Sequence, residues 1–449
     1  MVNGGEIESL TQIVTYDQPY ELYETNKRGY TFTGYTLNNE LFEANDLWDG
    51  IEDITLNATW KINVYTLSYY INNELVKSES VTYNSKFSIA NIVYKNSYTA
   101  PVWDGDGVEF SSNKSYLWNY DYDLELNCKT LVYSGNDFGI SSNSTDKTAV
   151  ITCYYGSEIN LLIPQKIFIN DEIYEVVSIR SSAFQNCSSL ISIEIPTSVT
   201  SIGDSAFYGC SRLTSITIPA GVTSIGYSAF YGCSSLISIT LPFVGATLNG
   251  TSYTHFGYIF GASSYSYNSD YVPTSLKEVI ITGGTKIGSA AFWGCSSLTS
   301  IVIPEGSQLT SIGQYAFEGC SSLTSIEIPN SVKSIGQYAF RDCSSLTTVT
   351  FEEGSQLTSI GQYAFEGCSS LESIIIPESV TSISYFAFWG CSSLTSIIVD
   401  ENNKVFDSRN DCNAIIETST NTLIIGCHNT VIPSSVISIG KFAFSGCSS

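Results

Sequence analysis

The chain has 449 residues, more than one ordinary hydrophobic core supports, which predicts several domains or an open-ended array of repeats. Its 43% apolar residues indicate a folded protein, and its 30 Tyr with abundant Thr and Ile favour strands. The formal net charge of −24 argues against nucleic acid and anionic membrane surfaces as partners. No run approaches the roughly 20 apolar residues of a membrane-spanning helix, so we expect no membrane insertion.

A faint repeat occupies the first part of the chain. The segment IVTYDQPYEL at 13–22 is similar to SVTYNSKFSI at 80–89, which lies 67 residues further along the chain. Both segments have the alternating pattern of strands. The sequence therefore predicts two small strand-rich domains, at 1–61 and 62–130.

The next segment, 131–178, contains further strand-like runs, LVYSGNDFGI and IFINDEIYEVVSI. We expect it to cap the open edge of the array that follows. The opening residues, MVNGGEIESL, have neither the basic nor the apolar region of a signal peptide, and the chain stops midway through a repeat. We interpret the sequence as a fragment whose export signal and anchor lie outside it.

Residues 179–449 repeat one sequence motif, for example SIGQYAFEGCSSLTSIEIP at 311–329. Alignment on Ala-Phe-x-x-Cys gives intervals of 23 or 25 residues where the array is uninterrupted. This period falls within the roughly 20–29 residues of leucine-rich repeats, and one repeat cannot bury its own apolar edge. The sequence predicts a solenoid. The aligned cysteines are Cys187, Cys210, Cys233, Cys295, Cys320, Cys343, Cys368, Cys391 and Cys447.

Each repeat predicts one strand, a turn and a second short inward-facing segment. Pro329 is expected to end the strand because proline donates no backbone hydrogen bond, and Gly336 is expected to allow a tight bend. The residues predicted to face the core of one repeat are Leu323, Ile326, Ile328, Val332, Ile335, Ala339, Phe340 and Cys343.

The repeated cysteines have three interpretations: disulfides, zinc ligands or buried thiols. Equivalent positions in stacked strands lie about 4.8 Å apart, but their side chains leave the backbone in parallel, which suits a disulfide poorly. No Cys-x-x-Cys pair occurs and the chain has only two His, which disfavours zinc. We expect buried thiols that fill space and act as weak donors.

An insertion at about 243–274 interrupts the array and has the Tyr, Ser, Gly and Asn composition of adaptable binding loops. One interpretation is that its aromatic residues contact a partner. The other is that they pack on the flank of the solenoid as a self-contained loop. The candidate contact residues are Tyr253, Phe256, Tyr258, Phe260, Tyr265 and Tyr267.

The position after Ala-Phe changes from repeat to repeat, and we call these residues the variable row: Tyr208, Tyr231, Trp293, Glu318, Arg341, Glu366 and Trp389. A position that varies inside a fixed frame is expected to be exposed, and exposed Tyr and Trp are favoured interface anchors. Tyr208, Tyr231, Trp293 and Trp389 are therefore further candidates. The alternative is that they pack on neighbouring repeats.

A second insertion, at about 400–430, contains NAIIETSTNTLIIGC, which predicts a hairpin with a turn over 418–421. A two-residue turn at Ser419 and Thr420 would set Cys412 opposite Cys427, either as a disulfide or as two free thiols.

The run IPNSVKSIGQYAFRDCSSLTTV resembles the BspA-type (Treponema pallidum-type) leucine-rich repeats, over about 150–449. The N-terminal pair resembles Listeria–Bacteroides repeats, the β-grasp-like B-repeats of internalin-type surface proteins, through GYTFTGY and ITLNATW. The first unit has Tyr35 where that family usually has Trp, and the second lacks the Gly-Tyr-x-Phe core. The resemblance implies a mostly β chain, a leucine-rich-repeat solenoid preceded by two small β-grasp-like domains.

Both families imply an extracellular or cell-surface bacterial protein, with adhesion by the solenoid and a stalk-like role for the B-repeats. Neither carries catalytic residues onto this chain, and no nucleophile elbow, Walker-type loop, His-Glu-x-x-His or dinucleotide motif occurs. We expect no enzyme, no cofactor and no metal site. A calcium loop at Asp400, Asn402 and Asp407 is the less favoured interpretation of a polar segment.

Two functions remain open: a surface adhesin that binds protein or glycan on host or neighbouring cells, or a noncatalytic targeting or spacer region of a larger secreted enzyme. A third, an intracellular interaction scaffold, fits unpaired thiols but not the stalk-like modules.

Overall fold

The computed structural model describes residues 15, 21–22, 26–43, 50, 52–71, 73–89, 92–94, 98–111, 114–133, 135–169 and 172–446. Cys447 and most of the segment 13–22 lie outside these residues. The chain divides into two compact units, Met1–Gly135 and Asn136–Ser449. Nearly all regular structure is strand, which confirms the mostly β prediction.

The first unit consists of short antiparallel pairings around one parallel pair. Its strands are β1 Tyr30–Leu37, β2 Glu40–Phe42, β3 Asn57–Ile62, β4 Val64–Ile71, β5 Glu74–Thr82, β6 Lys86–Ser88, β7 Val93–Tyr94, β8 Tyr98–Gly105, β9 Val108–Ser111, β10 Ser115–Leu117 and β11 Leu124–Tyr133. β1 pairs antiparallel with β2 and β3. β4 pairs antiparallel with β5 and parallel with β11, which also pairs antiparallel with β8.

The described residues of this unit form two hydrophobic clusters. One is built on Tyr35, Leu56 and Ala58. The other contains Leu67, Tyr69, Ile71, Trp103, Trp118, Leu124 and Leu126. The clusters lie on either side of residue 61 in sequence, in keeping with two modules. The boundaries at 61 and 130 stay predictions, since β3 ends at Ile62 and β11 runs on to Tyr133.

The second unit opens with a mixed group of five strands, β12 Phe138–Asn143, β13 Thr148–Tyr154, β14 Asn160–Leu162, β15 Lys166–Ile169 and β16 Glu172–Ile179. β12 is antiparallel to β13, β13 is parallel to β16, and β15 is antiparallel to β16. The segment is strand-rich, as the sequence predicts.

Uninterrupted repeats then contribute one strand of three or four residues and one of two residues, and the two repeats that the insertions interrupt contribute only the longer strand. The longer strands are β17 Ser192–Glu194, β19 Ser215–Thr217, β21 Ser238–Leu241, β22 Glu278–Ile281, β24 Ser300–Val302, β26 Ser325–Ile328, β28 Thr348–Phe351, β30 Ser373–Ile376 and β32 Ser396–Val399. The shorter strands are β18 Ser201–Ile202, β20 Ser224–Ile225, β23 Lys286–Ile287, β25 Ser311–Ile312, β27 Ser334–Ile335, β29 Ser359–Ile360 and β31 Ser382–Ile383.

These strands stack in parallel, equivalent residue beside equivalent residue. The longer strands run in the order β14-β17-β19-β21-β22-β24-β26-β28, with β30 beside β32. The shorter strands run as β16-β18-β20 and as β23-β25-β27-β29-β31. Ser311 aligns with Ser334 and Ser334 with Ser359, so repeats of 23 and 25 residues keep one register. The predicted solenoid is confirmed.

The core of each repeat is the one expected from the sequence. Every residue predicted to face inward, from Leu323 to Cys343, is buried, and β26 ends immediately before Pro329. The phenylalanines of successive repeats form a ladder of nearly parallel rings, with Phe340 centred 5.0 Å from Phe317 and 5.1 Å from Phe365. This Phe ladder runs through the core of the solenoid from repeat to repeat.

A tight turn begins at Gly336, as expected, because the Ala339 amide donates to its carbonyl at 3.3 Å, but the glycine itself is needed there for another reason. It is not in a left-handed conformation; that conformation is adopted nearby by Tyr338, with φ 59°. A Cβ atom at Gly336 would lie 2.6 Å from backbone atoms of Gly313 and Gln314 in the preceding repeat. The glycine is required because the backbones of adjacent repeats approach closely there.

Of the repeated cysteines that the structure describes, the seven from Cys210 to Cys391 are buried thiols, as predicted, and Cys187 is half-buried. Each of six donates a hydrogen bond to the carbonyl of the phenylalanine one repeat earlier, over 3.1 to 3.3 Å: Cys210, Cys233, Cys320, Cys343, Cys368 and Cys391. Burial raises the pKa of Cys233 and of Cys320 to about 12, so these thiols remain protonated and unreactive.

The second insertion contains β33 Phe406–Asp407, a 3-10 helix at Arg409–Asp411, β34 Ala414–Glu417 and β35 Thr422–Gly426, followed by β36 Ser438–Ile439. The β34–β35 hairpin turns over residues 418–421, as predicted.

A bulge between Ile415 and Ile416 shifts the register of this hairpin by one residue. Cys427 therefore donates to the carbonyl of Asn413, and both Cys412 and Cys427 are free.

Candidate binding surface

The first insertion folds as an additional turn of the solenoid. It contains a 3-10 helix at Phe256–Phe260, another at Tyr265–Tyr267, and α1 at Asn268–Tyr271. The Phe230 amide donates to the Ile259 carbonyl at 2.8 Å. Phe207, the equivalent residue of the preceding repeat, donates in the same way to the Ala229 carbonyl. On the other side, the Phe256 amide donates to Ala291 at 2.7 Å. The insertion is thus hydrogen-bonded into the array on both sides.

Phe256 and Phe260 are fully buried, which corrects the expectation that they contact a partner. The ring centroid of Phe256 lies 4.9 Å from that of Phe292, and the ring centroid of Phe260 lies 6.3 Å from that of Phe230. They fill the gap in the Phe ladder that the interrupted repeat would leave. The sequence did contain a signal for this, since Ile259-Phe260 followed by Gly261 is a trace of the Ala-Phe-x-Gly motif.

Two buried polar side chains hold the insertion in place. The Asn268 side-chain oxygen accepts from the Gly257 amide at 2.9 Å, and its amide group donates to the Ala291 carbonyl at 3.3 Å. His255 Nε2 lies 3.0 Å from the Ala262 carbonyl. Burial lowers the pKa of His255, so the neutral imidazole is favoured. The sequence alone predicted this structural role for neither residue.

The tyrosines of the insertion divide by exposure. Tyr253 is 58% exposed, Tyr265 49% and Tyr267 47%, and Tyr271, beyond the candidate set, is 40% exposed. Tyr258 is half-buried, 5.1 Å from Tyr253. The segment is therefore anchored in the Phe ladder by Phe256 and Phe260 and presents tyrosines to solvent.

The structure brings the insertion and the first part of the variable row together. Tyr208 stacks on Tyr231 at 5.0 Å, and Tyr231 lies 6.1 Å from Tyr271. Trp293 makes an edge contact with Tyr265 at 6.0 Å. We call these five residues the aromatic strip. Packing on a neighbouring repeat does not exclude exposure to solvent, since Tyr231 stacks on Tyr208 and is still 39% exposed.

The middle of the variable row is an ion-pair network. The Arg341 guanidinium lies 3.5 Å from Glu318 and 3.3 Å from Glu366, one repeat away on either side. Burial raises the pKa of both carboxyls, and Arg341 opposes that rise. Trp389 lies beyond this network, 6.2 Å from both Tyr363 and Phe386. The structure does not join it to the aromatic strip.

An open cleft of about 570 Å³ borders the aromatic strip. Tyr231 lines it from the repeat, and Tyr267, Asp270, Tyr271 and Pro273 line it from the insertion. Three tyrosine rings and one carboxylate therefore line a concave, solvent-open space, which is the kind of surface where ligands bind in proteins.

Other chemistry is sparse. Among the described residues, no three or more His, Cys, Asp or Glu side chains come together as a metal site. Asp407 of the polar segment is bound by Arg409, whose Nε donates to it at 2.8 Å. In the part of the chain that the structure describes, no helix has the length and hydrophobicity of a bilayer span.

The parallel strands, the 23- to 25-residue period and the Phe ladder define a leucine-rich-repeat solenoid. The chain belongs to the BspA-type leucine-rich repeat family: the model of the BspA type leucine rich repeat region matches six copies at residues 164–258, 285–414 and 423–449, more than half of the chain. The likeness of residues 1–130 to B-repeats stays a prediction. No curated protein matches the chain.

Several solved structures are similar to the chain. A leucine rich repeat protein of T. pallidum is 27% identical, with 52% of this chain and 88% of that one covered and a TM-score of 0.30. A leucine rich cell surface protein of Faecalibacterium prausnitzii A2-165 is 25% identical, with 70% and 92% covered and a TM-score of 0.25. A leucine-rich repeat protein of Bacteroides ovatus ATCC 8483 is 23% identical, with 70% and 91% covered and a TM-score of 0.24. At these TM-scores the likenesses support no functional inference.

Proposed function

We propose that this chain is a non-enzymatic bacterial cell-surface or secreted protein that mediates adhesion, with the solenoid binding protein or glycan on host or neighbouring cells. The strand-rich modules of residues 1–130 serve as spacers in this proposal. The observation that carries it is the aromatic strip, where exposed tyrosines converge on one face of a rigid repeat frame.

The physical support for this proposal is that a rigid backbone carries exposed aromatic side chains. The Phe ladder and the parallel strands fix the backbone, so the strip is preorganised and loses little conformational entropy when it binds. Tyr and Trp have large rings with few rotatable bonds and are the residues most often found as interface anchors. The surface is therefore suited to recognition, while the buried thiols offer no accessible nucleophile.

The alternative is a noncatalytic targeting or spacer region of a larger secreted enzyme. It shares the binding surface but assigns the biological effect to another domain. The full-length gene separates the two, because a catalytic domain in the same open reading frame favours the alternative.

The test is binding of the full chain to host matrix proteins, glycans and bacterial cells, measured by surface plasmon resonance and cell pull-down. A double variant, Tyr265→Ser with Tyr271→Ser, removes two exposed rings from the strip. We expect it to weaken saturable binding by roughly tenfold or more.

The matched control is Tyr122→Ser with Tyr155→Ser, two exposed tyrosines outside the strip. Equal loss in both double variants would overturn the location of the site. No saturable binding to any member of the panel would overturn the adhesion proposal.

A further inference from the structure

The cleft beside the aromatic strip has fixed walls. Tyr231 is held from behind by Tyr208, whose ring is stacked at 5.0 Å with an interplanar angle of 18°. Tyr271 belongs to α1, which the buried Asn268 ties to the neighbouring repeat. Two of the three rings are thus positioned before any ligand arrives, and the cleft is a built feature of the surface.

The rings form an open wedge. Tyr231 and Tyr271 are 6.1 Å apart between centroids and tilted by 54°. Tyr267 also lines the cleft and is 47% exposed. A cation is attracted to the face of an aromatic ring within about 6 Å of its centroid. The wedge therefore offers ring surface to a cation that lies in the cleft.

The charge in the cleft has one sign. Asp270 is the only ionisable acid or base among its lining residues apart from the tyrosines and Cys233. Within the described residues, no Lys, Arg or His lies within ion-pair distance of Asp270. Lys277, a few residues further along, directs its ammonium group to the carbonyls of Thr274 and Ser297 instead. Asp270 therefore has no cationic partner among the residues that the structure describes.

We infer that this cleft binds a lysine or arginine side chain of a partner protein, with the cation over the rings of Tyr231, Tyr267 and Tyr271 and Asp270 as its counter-ion. The inference rests on the proposed function and names the chemistry of the partner. The formal net charge of −24 acts in the same direction, because it steers positively charged surfaces toward the chain.

The probe is an alternating glycine–lysine octapeptide, titrated into the full chain by isothermal calorimetry, with the same peptide acetylated on every lysine as the charge-free comparison. We expect Tyr271→Leu to weaken binding about fivefold, since leucine keeps apolar bulk but has no ring face. We expect Asp270→Asn to weaken it about threefold. Acetylation should abolish the binding.

The control variant is Glu378→Gln, which removes one exposed acid elsewhere on the solenoid and so changes the net charge as Asp270→Asn does. Equal weakening by both variants would overturn the inference, because the peptide would then respond only to the overall field. Binding of maltoheptaose, a neutral glycan, that Tyr271→Leu abolishes while the lysine peptide does not bind would also overturn it.

The two proposals fail separately. If the cleft variants leave binding to host proteins and cells unchanged, the inference fails and adhesion stands. If the lysine peptide binds in the cleft but the panel of host proteins, glycans and cells gives no saturable binding, adhesion fails while the recognition of a cationic side chain by the cleft stands.

Discussion

A single position in the repeat shows how closely the solenoid is wound. Gly336 lies where a Cβ atom would come within 2.6 Å of the backbone of the preceding repeat, whereas Gly306 has φ +77° and open space around it. Asparagine tolerates a left-handed conformation but has a Cβ atom. We expect Gly336→Asn to lower the free energy of unfolding by roughly 1–3 kcal/mol, and Gly306→Asn to lower it by less than about 0.5 kcal/mol.

Urea denaturation followed by circular dichroism measures both variants. Similar shifts of the midpoint for the two would show that backbone conformation, and not the approach of adjacent repeats, explains the glycine.

At this scale the sequence predicts burial better than it predicts backbone geometry. The period of the repeat places Ile326, Phe340 and Cys343 inside without ambiguity, because stacked copies must share one core. The need for glycine at position 336 depends on the distance between neighbouring repeats. That distance is a tertiary property that no single repeat encodes.

The first insertion is the element for which sequence and structure differ most. Its Gly, Ser, Asn and Tyr content is typical of a loop, yet its backbone bonds to Phe230 and Ala291 make it a turn of the array. These two residues lie on opposite sides of the insertion in sequence, so local composition does not reveal the pairing. The exposed Tyr265 and Tyr267 were predictable as surface residues, whereas the contacts of Tyr265 with Trp293 and of Tyr231 with Tyr271 required the fold.

The insertion should be sensitive to acid through His255. Its pKa is lowered in the folded chain by burial, so below the ordinary value of about 6.5 the unfolded chain binds a proton that the folded chain resists. Stability from the neutral imidazole is complete above that pH and is lost as the pH falls through the lowered, folded-state pKa. We therefore expect the advantage of the natural chain over His255→Gln to shrink from pH 7.5 to pH 5.

The difference in free energy of unfolding between the two proteins, measured at each pH by urea denaturation, isolates this residue because other titrating groups are common to both. A difference that stays constant or grows as the solution becomes acidic would contradict the assignment.

Over the whole second unit, the architecture is one-dimensional. Each repeat bonds to the one before and the one after it, through in-register strands, the Phe ladder and the thiol-to-carbonyl bonds. The sequence predicts this order of repeats because its period is regular. It does not show which surface residues of the repeats and of the insertion lie side by side. The aromatic strip arises only because the insertion places Tyr271 beside Tyr231.

A substitution in a one-dimensional array should destabilise only the repeats near it. The free energy of unfolding of such an array is close to a sum of contributions from each repeat and from each interface between adjacent repeats. Phe340→Ala removes a ring packed between Phe317 and Phe365 and should cost roughly 3–5 kcal/mol. We expect hydrogen exchange, followed by mass spectrometry, to accelerate in the three repeats that contain these residues. Strands β13 to β16, several repeats away, should keep their protection.

Phe340→Leu is the matched control, because it keeps most of the buried volume and should leave exchange close to that of the natural chain. Uniform loss of protection from β13 to β32 in Phe340→Ala would show that the unit unfolds as one cooperative body. Local loss would mean that repeats distant from the aromatic strip can be altered without disturbing the surface on which the proposed binding depends.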